Sequence, residues 1–341
     1  MSASACEVTP FDGCAGEILR LRNANRENPE TLAYLSWRYA VAPGCPAPCV
    51  YWLRGASGER IGMASVIFRP YLLDGKRVPV GVIGDISLEA RWRGRGLGHS
   101  LLKFMTSDLE RRFPDRAALV IPTEAARGVL AGCGWLAAGR LVPLVCALDP
   151  ANFLAARLGN IVLARALAAP IRAAGRRWVA RAVPAPATLH LNATLAELPG
   201  TIPAQTPEDG IATRELSAAT LEWRYTHHPH SRFSFATLQQ CGEVQALLVY
   251  EEVDRTCIIY DLLAAELRQL QGLLAAFVMH VLDRNELLTL RIVLDQDHPA
   301  RGCLRRLGFL ARPDEAAFQV HSASGLAERL RWRLSQGDKD T

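Results

Sequence analysis

Acidic residues are missing from residues 151–183 of this 341-residue chain, and further absences narrow its class before any motif is read. The opening run MSASACEVTPFDG has no basic segment followed by an apolar one, so no secretory leader is expected. No run of about 18 apolar residues is free of charge, which argues against a membrane-spanning helix. The nine cysteines are odd in number and scattered, the pattern of free thiols in a reducing cytosol rather than of a disulfide framework. A cytoplasmic location is therefore the expectation. Cys45 and Cys49 form a C-x3-C, but no second Cys/His pair of comparable spacing completes four ligands, so no metal is expected. The acid-free stretch holds Arg157, Arg165, Arg172, Arg176, Arg177 and Arg181 against a net charge of +5 for the whole chain, so the remainder is close to neutral. A nucleic-acid binder would carry a wider basic face interleaved with aromatics, and no nucleic acid is expected as a partner.

What is present reads as two domains of ordinary globular composition, 50% apolar and 21% charged. Leu35-Ser36-Trp37-Arg38-Tyr39, with Pro43 beyond, returns as Leu221-Glu222-Trp223-Arg224-Tyr225 with Pro229. Ala126-Arg127-Gly128-Val129-Leu130 and Gly134-Trp135 return as Ala300-Arg301-Gly302-Cys303-Leu304 and Gly308-Phe309. The offsets, 186 and 174, differ as they would if loop lengths had diverged, and two echoes in the same order imply a tandem repeat.

The order of elements agrees. In the first half, a helical stretch over 14–42 precedes alternating strands at Val50–Leu53, Arg60–Phe68 and Val78–Leu88, with a hairpin turn at Asp74-Gly75. A helix from Gly98 to Arg112, a buried strand at Ala118–Ile121, a short helix and a final strand pair reaching Cys146 complete it. The second half predicts helix 215–226, strands near 233–239, 244–251 and 256–263, helix 266–284, strand 288–294 and helix 299–307. Between them, 151–181 is helical in period with a break at Pro170, and Pro184, Pro186, Pro199 and Pro203 punctuate an extended linker. The expected division is 1–148, a connector over 149–205, and 206–341. The basic helix fits attachment to an anionic membrane surface or a helix packed across the two domains with its arginines solvated, and the residues favour the second.

One stretch carries chemistry. Leu88 ends a strand, Arg93-Gly94-Arg95-Gly96-Leu97-Gly98 follows as a basic glycine-rich turn, and an amphipathic helix opens at once. Such a turn leaves main-chain N–H groups free at the positive end of a helix, and glycines let a ligand approach them closely. This is a seat for a pyrophosphate. The nucleotide-binding Gly-Lys-Ser/Thr is absent, since Gly98-His99-Ser100 stands there, and the dinucleotide pattern begun at Gly94 would need a glycine at His99.

The stretch resembles the acetyl-CoA site of the GCN5-related N-acetyltransferase (GNAT) superfamily, whose Arg/Gln-x-x-Gly-x-Gly/Ala is filled by Arg93, Gly96 and Gly98. Thr123 through Trp135 resembles the family's next helix. The resemblance implies an α+β (α/β sandwich) fold: two GNAT-like domains, each a mixed, mostly antiparallel sheet flanked by helices, joined by the basic helical connector. It also implies acetyl-CoA or another acyl-CoA as co-substrate, held at Leu88, Arg93, Gly94, Arg95, Gly96, Leu97, Gly98 and Thr123, with the thioester carbonyl polarised by main-chain N–H near Leu88. The acceptor is then an amine of a small molecule or peptide. The chain departs from the family at Thr123, where Asn is common, and at Leu130, where a Tyr often serves as general acid.

Asp85, in the apolar run Val80–Ile86, is the candidate general base, because a carboxylate there is costly to bury without a partner or a task. A hydrogen-bonded carboxylate at the sheet edge is the plainer reading. Glu89 and Glu124 are weaker candidates in exposed turns. In the second half the equivalent point, Tyr260-Asp261-Leu262-Leu263, leads into a helix with one glycine only, so that copy is expected to bind no CoA. His227-His228-Pro229-His230 reads as a surface loop, and Trp37 and Trp223 as core anchors. Three functional readings remain: N-acyl transfer from acyl-CoA; acyl transfer from a carrier protein or aminoacyl-tRNA on the same tandem fold; and a non-catalytic CoA-binding or sensor module. Contact with a membrane or carrier protein through 151–183 stays open.

Overall fold

The structure, a computed structural model, describes residues 5–339 apart from 25, 27, 184–186, 193 and 285. Pro184 and Pro186 of the expected linker thus lie outside the described residues.

The first half runs β1 (Cys6–Pro10), α1 (Ala15–Asn23), α2 (Leu32–Arg38), β2 (Cys49–Arg54), β3 (Arg60–Leu73), β4 (Lys76–Leu88), α3 (Leu97–Arg112), β5 (Ala117–Val120), α4 (Glu124–Ala131) and β6 (Leu136–Ala147). The β3–β4 hairpin turns at Asp74 and Gly75, with φ of 51° and 73°, the two left-handed residues that a tight hairpin demands. The connector holds α5 (Pro150–Leu158), α6 (Ile161–Ala180) and β7 (Thr188–Asn192). The second half follows as β8 (Ile211–Arg214), α7 (Ala218–Leu221), β9 (Ser234–Gln240), β10 (Glu243–Val253), β11 (Thr256–Ala264), α8 (Leu267–Asp283), β12 (Thr289–Asp295), α9 (Arg301–Arg306), β13 (Leu310–Ala311), β14 (Ala316–Ser322), α10 (Leu326–Arg329) and β15 (Arg331–Arg333).

The connector departs from expectation twice. Pro170 sits inside α6 rather than breaking it; the break comes earlier, where Gly159 ends α5 at φ 65° and the Asn160 side chain caps α6 by accepting from the amides of Val162 and Leu163. In the linker beyond, Thr188–Asn192 form β7, an edge strand against β9.

The fifteen strands among the described residues join one sheet, in the order β1-β2-β3-β4-β5-β14-β6-β12-β11-β10-β9-β7, with β8 on β3, β15 on β8 and β13 on β6. Two parallel pairs, β4 with β5 and β11 with β12, occupy matching places in the halves, and most other pairings are antiparallel. The expected final strand pair of the first half is instead one 12-residue strand, β6, and its partner comes from the second half. Strand β14 lies between β5 and β6 (Val320 opposite Leu119 and Leu136), while β6 lies against β12 (Cys146 opposite Leu290). The halves thus interleave their last long strands.

The core follows this weave. One cluster packs α3 and α4 on the first half through Tyr51, Val66, Leu101, Met105 and Trp135. Another packs α8 and α9 on the second through Leu248, Ile259, Leu273, Phe277 and Leu304. A third joins both, placing Val82 and Leu141 with Val293, Phe318 and Trp332. The repeat is visible in detail: Gly134 and Gly308 end α4 and α9 at φ 89° and 92°, and the amides of Trp135 and Phe309 turn back to Leu130 O and Leu304 O at 3.2 and 3.0 Å.

Candidate functional site

The site begins with an irregularity in β4. Its register against β3 slips so that Asp85 and Ile86 together face Ala64, and Asp85 takes φ 54°. Such a bulge bends a strand. On its other side β4 pairs with β5 only from Gly81–Ala118 to Ile83–Val120. Beyond Ile83 the strands separate, and a cavity of about 450 Å³ opens there, lined by Val82–Ser87 from one strand and Val120–Thr123 from the other. Glu89 N bonds Ile61 O at 3.0 Å on the β3 side. Strand alternation then turns the N–H of Leu88 toward the gap. The carbonyl of Leu88 points the same way and accepts from Arg93 Nε at 3.1 Å.

The glycine turn follows the end of β4 and leads into α3. Gly94 and Gly96 adopt φ 73° and 76°, and Gly96 caps α3. The first amides engaged by the helix are those of His99 and Ser100, both donating to Gly96 O. Among the described residues the amides of 94–98 have no main-chain acceptor, the state of a helix start that faces outward. A Cβ placed at Gly94, Gly96 or Gly98 would meet nothing within 4 Å. Gly98 has no positive φ either, so neither packing nor backbone conformation in the chain itself requires glycine there.

Asp85 lines the cavity wall but its carboxylate is engaged. Arg22 and Arg38 pair with it, Tyr39 donates its phenol O–H at 2.7 Å and Ser65 its hydroxyl at 3.3 Å. Burial holds the Tyr39 phenol above its ordinary pKa, against the lowering pull of Ser65 and Arg38, so it stays a donor. In the second half, Tyr225 donates to Asp261, and buried Arg214 pairs with it. A Tyr–Asp–Arg cluster therefore stands at the matching point of both copies, including the one without the glycine turn. Of the other carboxylates considered, Glu89 is tied to Arg20 and Arg91, and Glu124 to Arg127.

Residues 17–135 match the Acetyltransferase (GNAT) family. These residues thus carry a GNAT-family domain. Among curated proteins no sequence match was found. A probable N-acyltransferase from Enterococcus faecalis V583 superposes with a TM-score of 0.62 at 10% identity, over 94% of this chain and 73% of that one. A tandem GNAT protein from the clavulanic acid biosynthesis pathway gives 0.54 at 15% identity, over 94% and 99% of the two chains. Saccharomyces cerevisiae N-myristoyltransferase with bound myristoyl-CoA gives 0.57 at 11%, over 94% and 83%. At these identities the likeness is one of fold, and the fold is the tandem GNAT α+β arrangement.

Arg93, Gly94, Arg95, Gly96, Leu97 and Gly98 form one continuous turn, Asp85 and Thr123 line the gap, and Leu88 lies between the bulge and the turn at the end of β4. Arg95 lies over the Trp92 ring at 5.2 Å. Thr123 is exposed at the start of α4, its carbonyl accepting from Ala126 and Arg127. Leu130 is fully buried in the first core cluster.

The second half has the corresponding gap, since β11 and β12 pair only from Thr256–Thr289 to Ile259–Ile292. There the chain's own segment after β15 enters: Ser335 bridges Leu294, Leu334 O accepts from Asp295 N at 2.9 Å, and Ser335 Oγ donates to Asp261 at 2.6 Å. This segment lies far from β11 in sequence, and nothing in its composition signalled the contact.

A second cavity, of about 330 Å³, adjoins the first through shared Arg26 and Lys339. Both copies build it, Tyr34 and Trp37 from one, His228, Phe233 and Tyr260 from the other. Sequence reading placed the histidine loop at the surface. In the structure His228 packs edge-on to Trp37 at 4.3 Å, and its Nδ1 accepts from the amides of His230 and Ser231. Burial, with Arg224 and His230 nearby, pushes its pKa down to about 4, so it is neutral near pH 7. Trp37 and Trp223, read as core anchors, are only partly buried. The signal missed was the symmetry itself, which brings equivalent residues together.

Proposed function

We propose that the chain transfers an acyl group, acetyl in the first instance, from acyl-CoA to an amine. The pyrophosphate sits on the free amides of 94–98 with Arg93 and Arg95 beside it, and the pantetheine arm lies in the gap between β4 and β5. The N–H of Leu88 polarises the thioester carbonyl, and the amine enters from the adjoining cavity. The amine nitrogen attacks the carbonyl carbon, a C–N bond forms and the C–S bond breaks. The ammonium proton passes through water and ends on the CoA thiolate. Leu130 donates no proton, and a thiolate, with a pKa near 8.5, needs less help to leave than an alkoxide.

Asp85, the expected base, is proposed here chiefly as a positioning residue. Its four donors and the matching cluster at Asp261 support a role in holding the bulge. The second copy, with its gap entered by its own chain and no glycine turn, is proposed to shape the acceptor side and to bind no CoA.

The observation that carries this reading is the open set of amides at the mouth of a splayed strand pair. Incubation with acetyl-CoA and a broad amine panel tests it, with free CoA measured by chromatography because the nine free cysteines would consume a thiol reagent. Amine-dependent CoA release is expected. Binding of acetyl-CoA without release across the panel would favour the sensor reading.

A further inference from the structure

Helix α6 packs in an unusual way. Its neighbours are α5 and, on the body of the protein, α8, and its buried residues are Ala164, Ala168 and Val179. Its large apolar residues point outward. Leu163, Leu167, Ile171 and Trp178 are 48%, 43%, 51% and 56% exposed. Spacings of four, four and seven put them on one stripe about 20 Å long at 1.5 Å per residue. A helix packed across two domains would do the reverse, burying its leucines and leaving alanine outside. The reading favoured from sequence does not describe this helix.

Charge indicates what covers the stripe. Residues 151–183 carry six arginines and no acidic residue. Arg165, Arg176, Arg177 and Arg181 are exposed, with Arg176 reaching Asp283. Trp178 Nε1 donates to Arg306 O at 2.7 Å, so exposed Arg305 and Arg306 extend the basic surface beyond the helix end. A second copy of this chain would oppose like charge with like charge. An extended apolar stripe with flanking arginines and a terminal tryptophan has the composition of a helix at a lipid–water boundary. No helix among the described residues is long and apolar enough to cross a membrane, so such a contact lies in the surface plane.

We propose that α6 docks the protein on an anionic lipid surface, with Leu163, Leu167, Ile171 and Trp178 inserted among the acyl chains and the arginines on the phosphates. The test is co-sedimentation of the full chain with phosphatidylcholine vesicles and with vesicles containing about 30% phosphatidylglycerol, for wild type and for Leu167→Glu/Ile171→Glu. Wild type should sediment with the anionic vesicles only. The double variant, which changes exposed side chains and should keep the wild-type melting temperature, should lose at least about tenfold in partitioning. An Arg177→Gln/Arg181→Gln variant should lose affinity in the same direction. Absence of wild-type binding to anionic vesicles, or equal binding by wild type and the Leu167/Ile171 variant, overturns the proposal, as does concentration-dependent dimerisation through this stripe in place of vesicle binding.

Discussion

Trp37 and Trp223 stack on one another, with ring centroids 6.3 Å apart and planes 17° from parallel. They hold the same place in the repeated Leu-x-Trp-Arg-Tyr, so the pseudo-symmetry of the chain brings its two copies together at this point. Trp37 Nε1 also reaches Trp223 O at 3.4 Å, and Arg69 lies over the Trp223 ring at 4.5 Å. The contact borders the cavity proposed for the acceptor. Each Trp→Ala substitution should cost about 2 kcal/mol, less than for a fully buried tryptophan. The double variant should show a coupling of about 1 kcal/mol by urea unfolding. Additive effects would mean that the rings do not support each other.

Asp85 offers a sharper choice between roles. If it holds the bulge, Asp85→Asn removes the carboxylate that Arg22, which keeps Glu30, and Arg38 both face, a loss of about 3–5 kcal/mol for a buried pair. Asp261→Asn should behave alike in the second copy, where no donor is expected to bind. Thermal and urea unfolding of both variants checks this. Unchanged stability with a large fall in turnover for Asp85→Asn alone would restore the base assignment.

The histidine loop makes the fold sensitive to acid in a defined window. Above pH 6.5 His228 is neutral in both the folded and the unfolded chain. As pH falls, the unfolded chain takes the proton first, because the folded pKa lies near 4. Stability should therefore drop from about pH 6.5 to about pH 4 and level off below. His298, with a folded pKa of about 3 through burial, acts in the same direction. The check is the difference between wild type and His228→Gln: the variant should show the shallower slope between pH 6.5 and 4, and identical slopes would remove His228 from this account.

Much of this was legible in sequence, for a physical reason. Glycine-rich turns, hairpin residues and helix periods are local, so the Arg93–Gly98 turn, the Asp74-Gly75 hairpin and the second-half helices and strands could be placed within a few residues. The two echoes exposed the repeat because each encodes a local device, as the positive φ of Gly134 and Gly308 shows. What escaped depends on distant partners. The four donors to Asp85 lie on α1, the end of α2 and β3, the insertion of β14 beside β5 joins segments about 200 residues apart, and the segment entering the second gap comes from after β15. Pro170 misled because a proline inside a helix is usually a break, whereas Gly159 and Asn160 supply the real one.

The central claim is that the amides around Gly98 receive a diphosphate, and calorimetric titration of acetyl-CoA into wild type and Gly98→Asp tests it most directly. An aspartate there has room in the free chain and belongs to the first turn of α3, where an acidic residue suits the helix dipole, so the melting temperature should hold or rise slightly. The added carboxylate would occupy the phosphate seat, and affinity should fall by at least about tenfold, roughly 1.4 kcal/mol. Equal affinity in the two proteins, with both folded, would contradict the assignment.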